Sequence, residues 1–128
     1  MTFEEWERST DFAKLERLAE RIVGDCVESL PPLLKSKAKR VPCLIRKWHP
    51  DVEAGHEEAM YMLGEYLQDD DEGLREPSGV IAIYVAGIAL FCEEEGMDFE
   101  EEVQRTYFHE LGHHFGWDED DLADRGLD

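Results

Sequence analysis

The segment His109-Glu110-Leu111-Gly112-His113, followed by His114-Phe115-Gly116 and the acidic run Asp118-Glu119-Asp120-Asp121, constrains the fold more than any other part of the chain. Residues four apart on a helix share a face, so a helix here stacks the imidazoles of His109 and His113 one above the other, with Glu110 just round the cylinder. Two imidazoles so spaced can hold one zinc ion, and the glutamate beside them is placed for acid–base work. A fold that uses them needs a helix through this segment, a turn directly after it, and a further ligand.

The helix is signalled independently. Asp98 with Glu101 three residues on has the capping-box spacing, and Phe99, Val103, Tyr107, Leu111 and Phe115 then recur every fourth residue. This predicts a helix from about Phe99 to Phe115. On a 3.6-residue wheel His109 and His113 fall on one flank of the apolar stripe with Glu102 and Thr106, the border between buried and open faces that a metal site at the floor of a cleft requires. Gly116 supplies the stop, because glycine takes the left-handed conformation that turns a chain back from a helix end.

The residue types suit hydrolysis. Two neutral imidazoles and one carboxylate leave the fourth tetrahedral position of Zn²⁺ open to water, whose pKa falls towards neutrality there. Glu110 is then placed to take a proton as general base and hand it on as general acid. The sequence stops at Asp128, which leaves no room for a glutamate on a distant downstream helix, so the third ligand is expected to be local. Glu119, the tenth residue after His109, occupies the position where the long zinc motif with glycine at its eighth residue places its third ligand. Asp118 and Asp120 flank it and remain alternatives, Asp118 also as the N-cap of a short final helix.

With these residues in place the chain resembles the small bacterial zincin-like metallopeptidases, the mini-zincins. The match runs from Glu102 through Thr106, His109-Glu110, His113-His114-Phe115-Gly116 and Glu119 to Leu127, and takes in Ile81-Ala82-Ile83-Tyr84 as an alternating strand and Leu63-Gly64-Glu65-Tyr66 more weakly. It covers roughly the C-terminal half. The resemblance implies a compact zincin-like α/β (α+β) domain, a small mixed sheet packed on an N-terminal helix and a long zinc-bearing helix. It also implies peptidase activity. The chain departs from the family pattern at Gly112, where alanine is common, and in a lengthened acidic stretch from Asp69 to Glu76. No methionine follows the motif, so the Met-turn of the metzincins is absent.

Composition bounds the rest. At 128 residues and 42 % hydrophobic content the chain is expected to form one domain, residues 1–128, with a core of its own. Thirteen basic against 32 acidic residues give a net charge of −19, which excludes nucleic acid as a partner, because a phosphate backbone would be repelled. Lys35, Lys37, Lys39, Arg40, Arg46 and Lys47 gather in one stretch and are read as a solvated basic edge. Cys26, Cys43 and Cys92 show no paired spacing, and the N-terminus has no basic or apolar leader, so a cytoplasmic protein with reduced thiols is expected. No run of apolar residues is long enough to span a membrane.

Along the chain, Thr2 and Glu5 cap an opening turn, and Leu15 to Leu30 mark a long amphipathic helix ended by Pro31-Pro32. Val41 to Trp48 reads as a strand that Pro42 confines to an edge or a beginning. Met60 to Leu67 is ambiguous, Asp69 to Gly73 is a turn, Val80 to Val85 is the clearest strand, and a short helix follows from Ile88 to Glu94. His49 and His56 read as solvated loop histidines, His114 as a packed neighbour of the ligands, and Tyr84 and Tyr107 as core residues rather than oxyanion donors. The expected function is a zinc-dependent metallopeptidase acting on peptide or protein substrates, with homodimerisation a further possibility. The alternative is a non-catalytic interaction protein that keeps the fold and the metal; Glu110, of no use to a structural zinc site, favours the enzyme.

Overall fold

A computed structural model describes residues 1–69 and 78–116. Helix α1 (Phe3–Ser9) is capped by Thr2, whose hydroxyl accepts from the Glu5 amide at 3.1 Å. Helix α2 (Phe12–Glu28) starts afresh, with the Asp11 carboxylate accepting from the Lys14 amide at 3.0 Å, and buries Ala19, Ile22, Val23 and Cys26 along one stripe. The break at Thr10 and Asp11 follows from that second cap, which satisfies a backbone donor that α2 would otherwise leave orphaned.

Helix α2 ends at Glu28, ahead of the prolines, and Pro31-Pro32 open a further helix, α3 (Pro32–Ala38), that was not anticipated. Proline at a first helical position loses no hydrogen bond and has its φ already set. The ambiguous stretch near Met60 resolves into a 3₁₀ turn (Glu57–Tyr61) after the short helix α4 (Pro50–Glu53), then a strand.

Three strands form a mixed sheet in the order β1-β3-β2. Strand β1 (Cys43–Arg46) lies parallel to β3 (Ser78–Tyr84), with Cys43 opposite Ile81, and Pro42 sits just before it as expected. Strand β2 (Gly64–Asp69) runs antiparallel on the other side of β3, with Gly64 opposite Ile83. The turn expected at Asp69 to Gly73 falls largely outside the described residues. Helix α5 (Val85–Glu95) follows β3 without a loop and ends at Gly96, at φ +66°. Helix α6 (Phe99–His114) is capped by Asp98, which accepts from the Glu101 amide at 3.0 Å, and closes with Gly116 at φ +76°. Its limits and both its signals are those read from the sequence.

The core joins α2, the inner sheet face, α5 and α6. Ile22, Ile81, Ile83, Val85, Ile88, Val103, Tyr107 and Leu111 are its largest fully buried side chains. The fold is a mixed α/β arrangement in which α6 packs against α2 behind it and lies alongside β2 and β3 in front. Among the described residues no helix is long and apolar enough to cross a membrane.

Candidate functional site

Helix α6 brings the predicted residues together. Nε2 of His113 lies 3.1 Å from Nε2 of His109, and the two rings meet edge to face. Glu110 is 8 % exposed and its Oε1 is 4.0 Å from His113 Nε2. His109, Glu110 and His113 offer three ligand atoms all within 4.8 Å of one another. Tetrahedral zinc with Zn–N bonds near 2.05 Å separates two ligand nitrogens by about 3.3 Å. The imidazole nitrogens are thus spaced as such a site needs, and the residues fit the metal. Glu119, Asp118 and Asp120 lie outside the described residues.

The wheel reading placed Glu102 and Thr106 on the same flank, and both are buried beside the site. Glu102 is only 3 % exposed and is neutralised by Arg105, whose guanidinium donates to Glu102 Oε1 at 2.9 Å. A carboxylate taken from water needs such a partner. Arg105 carried no sequence signal beyond its i, i+3 spacing from Glu102.

The opposite wall of the cleft is β2, which carries the weaker match at Leu63-Gly64-Glu65-Tyr66. Gly64 permits its close approach: a Cβ there would stand 2.6 Å from Thr106 Cγ2, 3.0 Å from the Ala82 carbonyl oxygen and 3.7 Å from Glu110 Cγ. Side chains alternate along a strand, so Gly64 and Tyr66 face α6 and Glu65 faces away. Tyr66 lies across Gly79, and its hydroxyl shares a hydrogen bond of 2.8 Å with His114 Nδ1. Burial raises the pKa of that phenol and lowers that of His114, so both are neutral near pH 7. This is the packed role read for His114.

Two cavities flank Glu110 along this cleft. One, of about 410 Å³, is lined by Gly64, Glu65, Tyr66, Gln68, Glu110 and His113. The other, of about 300 Å³, is lined by Leu63, Glu102, Arg105, Thr106 and His109, again with Gly64 and Glu110.

The remaining candidates have other partners. Tyr107 is buried in the core, as read. Tyr84 donates to Glu65 Oε1 at 2.8 Å, and burial is the first cause raising its pKa. His56 is exposed, but His49 is not the solvated residue expected. Its Nδ1 accepts from the Asp51 amide at 3.0 Å as the cap of α4, and its ring packs edge-on to Tyr84 at 5.3 Å. A proline after it and an aspartate two residues on were the available signal for that cap. Cys26, Cys43 and Cys92 are free thiols, the first and last buried.

No curated protein matches the chain. A family model described as zincin-like metallopeptidase matches residues 38–127, from the end of α3 through the whole sheet and α6. That is well over half of the sequence and contains every residue of the cleft described above. The chain belongs to the zincin-like metallopeptidase family.

Proposed function

We propose that the protein is a zinc-dependent metallopeptidase in which His109, His113 and Glu119 hold the metal and Glu110 moves the proton. The observation that carries this reading is the pair of imidazole nitrogens 3.1 Å apart with the mostly buried carboxylate of Glu110 beside them, at the wall of a cleft. Glu119 enters from the long-motif spacing, with Asp118 and Asp120 as its competitors. A bound zinc would supply a nucleophilic water at neutral pH and Lewis acidity for a carbonyl.

The chain's own groups do the rest. A carboxylate oxygen of Glu110 accepts a proton from the attacking water and delivers it to the leaving amine nitrogen, so that the released amine departs neutral. Glu110, 8 % exposed, stands in the cleft wall where the two cavities meet, within reach of a group bound in either. Strand β2 offers the means to hold a peptide. The Tyr84 amide donates to the Leu63 carbonyl at 2.9 Å, and alternation along an antiparallel pair then turns the backbone groups of Gly64, Tyr66 and Gln68 away from β3, towards the strand's outer edge. A peptide laid there would gain main-chain hydrogen bonds without a demand on its side chains.

Glu110→Gln tests the reading, because the amide keeps the shape but cannot accept the proton. The variant should keep its zinc and its fold and lose at least about 10²-fold in cleavage of an unstructured peptide pool at pH 7. Equal cleavage by both proteins would refute the role of Glu110, and a zinc-replete wild type that cleaves nothing would favour the interaction-protein alternative.

A further inference from the structure

Resting on the peptidase reading, we infer that the substrates are basic polypeptide segments, rich in lysine and arginine, which the charge of the cleft side draws in. The net charge of −19 is not spread evenly along the chain. Residues 1–48 hold ten basic and eight acidic residues, a formal +2, whereas residues 49–128 hold three basic and 24 acidic residues, a formal −21. That second part carries β2, β3 and α6, and with them both walls of the cleft.

The fold keeps the two kinds of charge apart. Strands β1 and β2 are opposite edges of the sheet with β3 between them, so they lie about 10 Å apart, about one Debye length at 0.1 M salt. The basic stretch from Lys35 to Lys47 belongs to the β1 edge, where several of its charges have partners. Lys35 and Lys39 pair with Glu28 at 2.9 and 3.5 Å, and Lys47 Nζ stands 4.4 Å from the centre of the Phe12 ring. From residue 49 onward the described residues contain fourteen Asp and Glu but only one Lys or Arg, which is Arg105. The linings of the two cavities repeat this imbalance: they include Glu65, Glu102 and Glu110, with Arg105 already bound to Glu102. Two positive charges from a bound zinc would leave the sign of this side unchanged.

A cleft lined by one sign of charge focuses the field, raising the local concentration of a cation and lowering that of an anion. A peptide with several lysines or arginines is therefore drawn in, and an acidic one is turned away. The outer edge of β2 binds main chain without regard to side chains, so charge supplies a selection that the backbone does not. This attraction is the same before and during the reaction, so it acts through KM and leaves kcat nearly constant.

The test uses three pools of blocked peptides, each with a randomised six-residue centre free of charged residues, Cys and His, and flanked on both sides by two Lys, two Ser or two Glu. Each pool is incubated with the zinc-loaded full chain at low and at high salt, and cleavage within the centre is read by mass spectrometry. Dye-labelled copies are titrated with zinc-loaded Glu110→Gln to read binding without turnover. At low salt the lysine-flanked pool should exceed the glutamate-flanked pool by at least about ten-fold in kcat/KM and in affinity, with the serine-flanked pool between them. At high salt the three should converge to within about three-fold. Cleavage of all three pools at one rate, or equal binding, would overturn the inference and leave the peptidase reading standing. Cleavage of none, with the lysine-flanked pool still bound tightest, would sink the peptidase reading and keep the ligand class.

Gln68, exposed and lining the larger cavity, ties the effect to the cleft. Gln68→Lys should lower kcat/KM for the lysine-flanked pool by about three-fold and raise it for the glutamate-flanked pool by the same factor, the scale of one unit charge at about 7 Å in water. Gln68→Glu should do the reverse. Unchanged ratios in both variants would overturn the cleft as the place where charge is selected.

Discussion

The two sides of α6 are built on different rules. On the side towards the core, Val103, Tyr107 and Leu111 repeat every fourth residue, are at most 1 % exposed, and pack against α2 and the sheet. On the adjoining flank, Glu102, Thr106, His109, Glu110 and His113 repeat with the same period but form a cleft with β2. The first side works by area and volume, so any well-shaped apolar residue serves. The second works by direction and charge, and each group depends on one particular partner: Glu102 on Arg105, His109 on His113, Thr106 on the missing side chain of Gly64. Mutations on the two sides should therefore fail differently, the first in stability and the second in binding and chemistry.

The largest expected effect is on the core side. Tyr107→Ala should cost about 3–5 kcal/mol, the range for deleting a large buried aromatic, seen as a lower urea midpoint of the metal-free protein. Glu110→Gln, one step round the helix, should cost no more than about 1 kcal/mol in the same experiment. Comparable losses would erase the distinction between the two sides.

An intermediate effect is expected where helix and strand meet. Gly64→Ala should cost about 1–3 kcal/mol through overpacking against Thr106. Adding Thr106→Ser should recover part of it, with a coupling of at least about 0.5 kcal/mol in a double-mutant cycle. Strict additivity would mean that β2 and α6 do not meet at this pair.

The smallest effect concerns two thiols behind α6. Burial, first among the causes, pushes Cys26 up to about 11 and Cys43 up to about 12 from an ordinary 9.0. Both folded-state values lie above the unfolded one, so this contribution to stability is fully present below about pH 9 and is lost as pH rises through 11 to 12. Native protein at pH 8 should label at Cys26 and Cys43 far more slowly with a disulfide reagent than urea-unfolded protein does. Equal rates would show that the core behind α6 is open.

The same contrast explains what the sequence disclosed. The whole of α6 was legible, because the Asp98 cap, the fourfold apolar repeat and Gly116 are local signals that agree. His109, Glu110 and His113 came with it, since helical spacing alone brings them together. Strand β3 was legible from its run of Ile81 to Tyr84. What escaped was whatever depends on a partner distant in sequence. Gly64 and Tyr66 belong to the weaker match, but the reason for each shows only when Thr106 stands opposite the glycine and His114 meets the tyrosine across the cleft. Pro31-Pro32 misled for a different reason: proline stops one helix and opens the next equally well.

Whether the flank of α6 holds a metal is decided by zinc stoichiometry on protein purified without added metal. The wild-type chain should carry one zinc, with nearly complete loss in His109→Ala and in His113→Ala, and a greater loss in Glu119→Ala than in Asp118→Ala or Asp120→Ala. Full zinc retained by both histidine variants would contradict it.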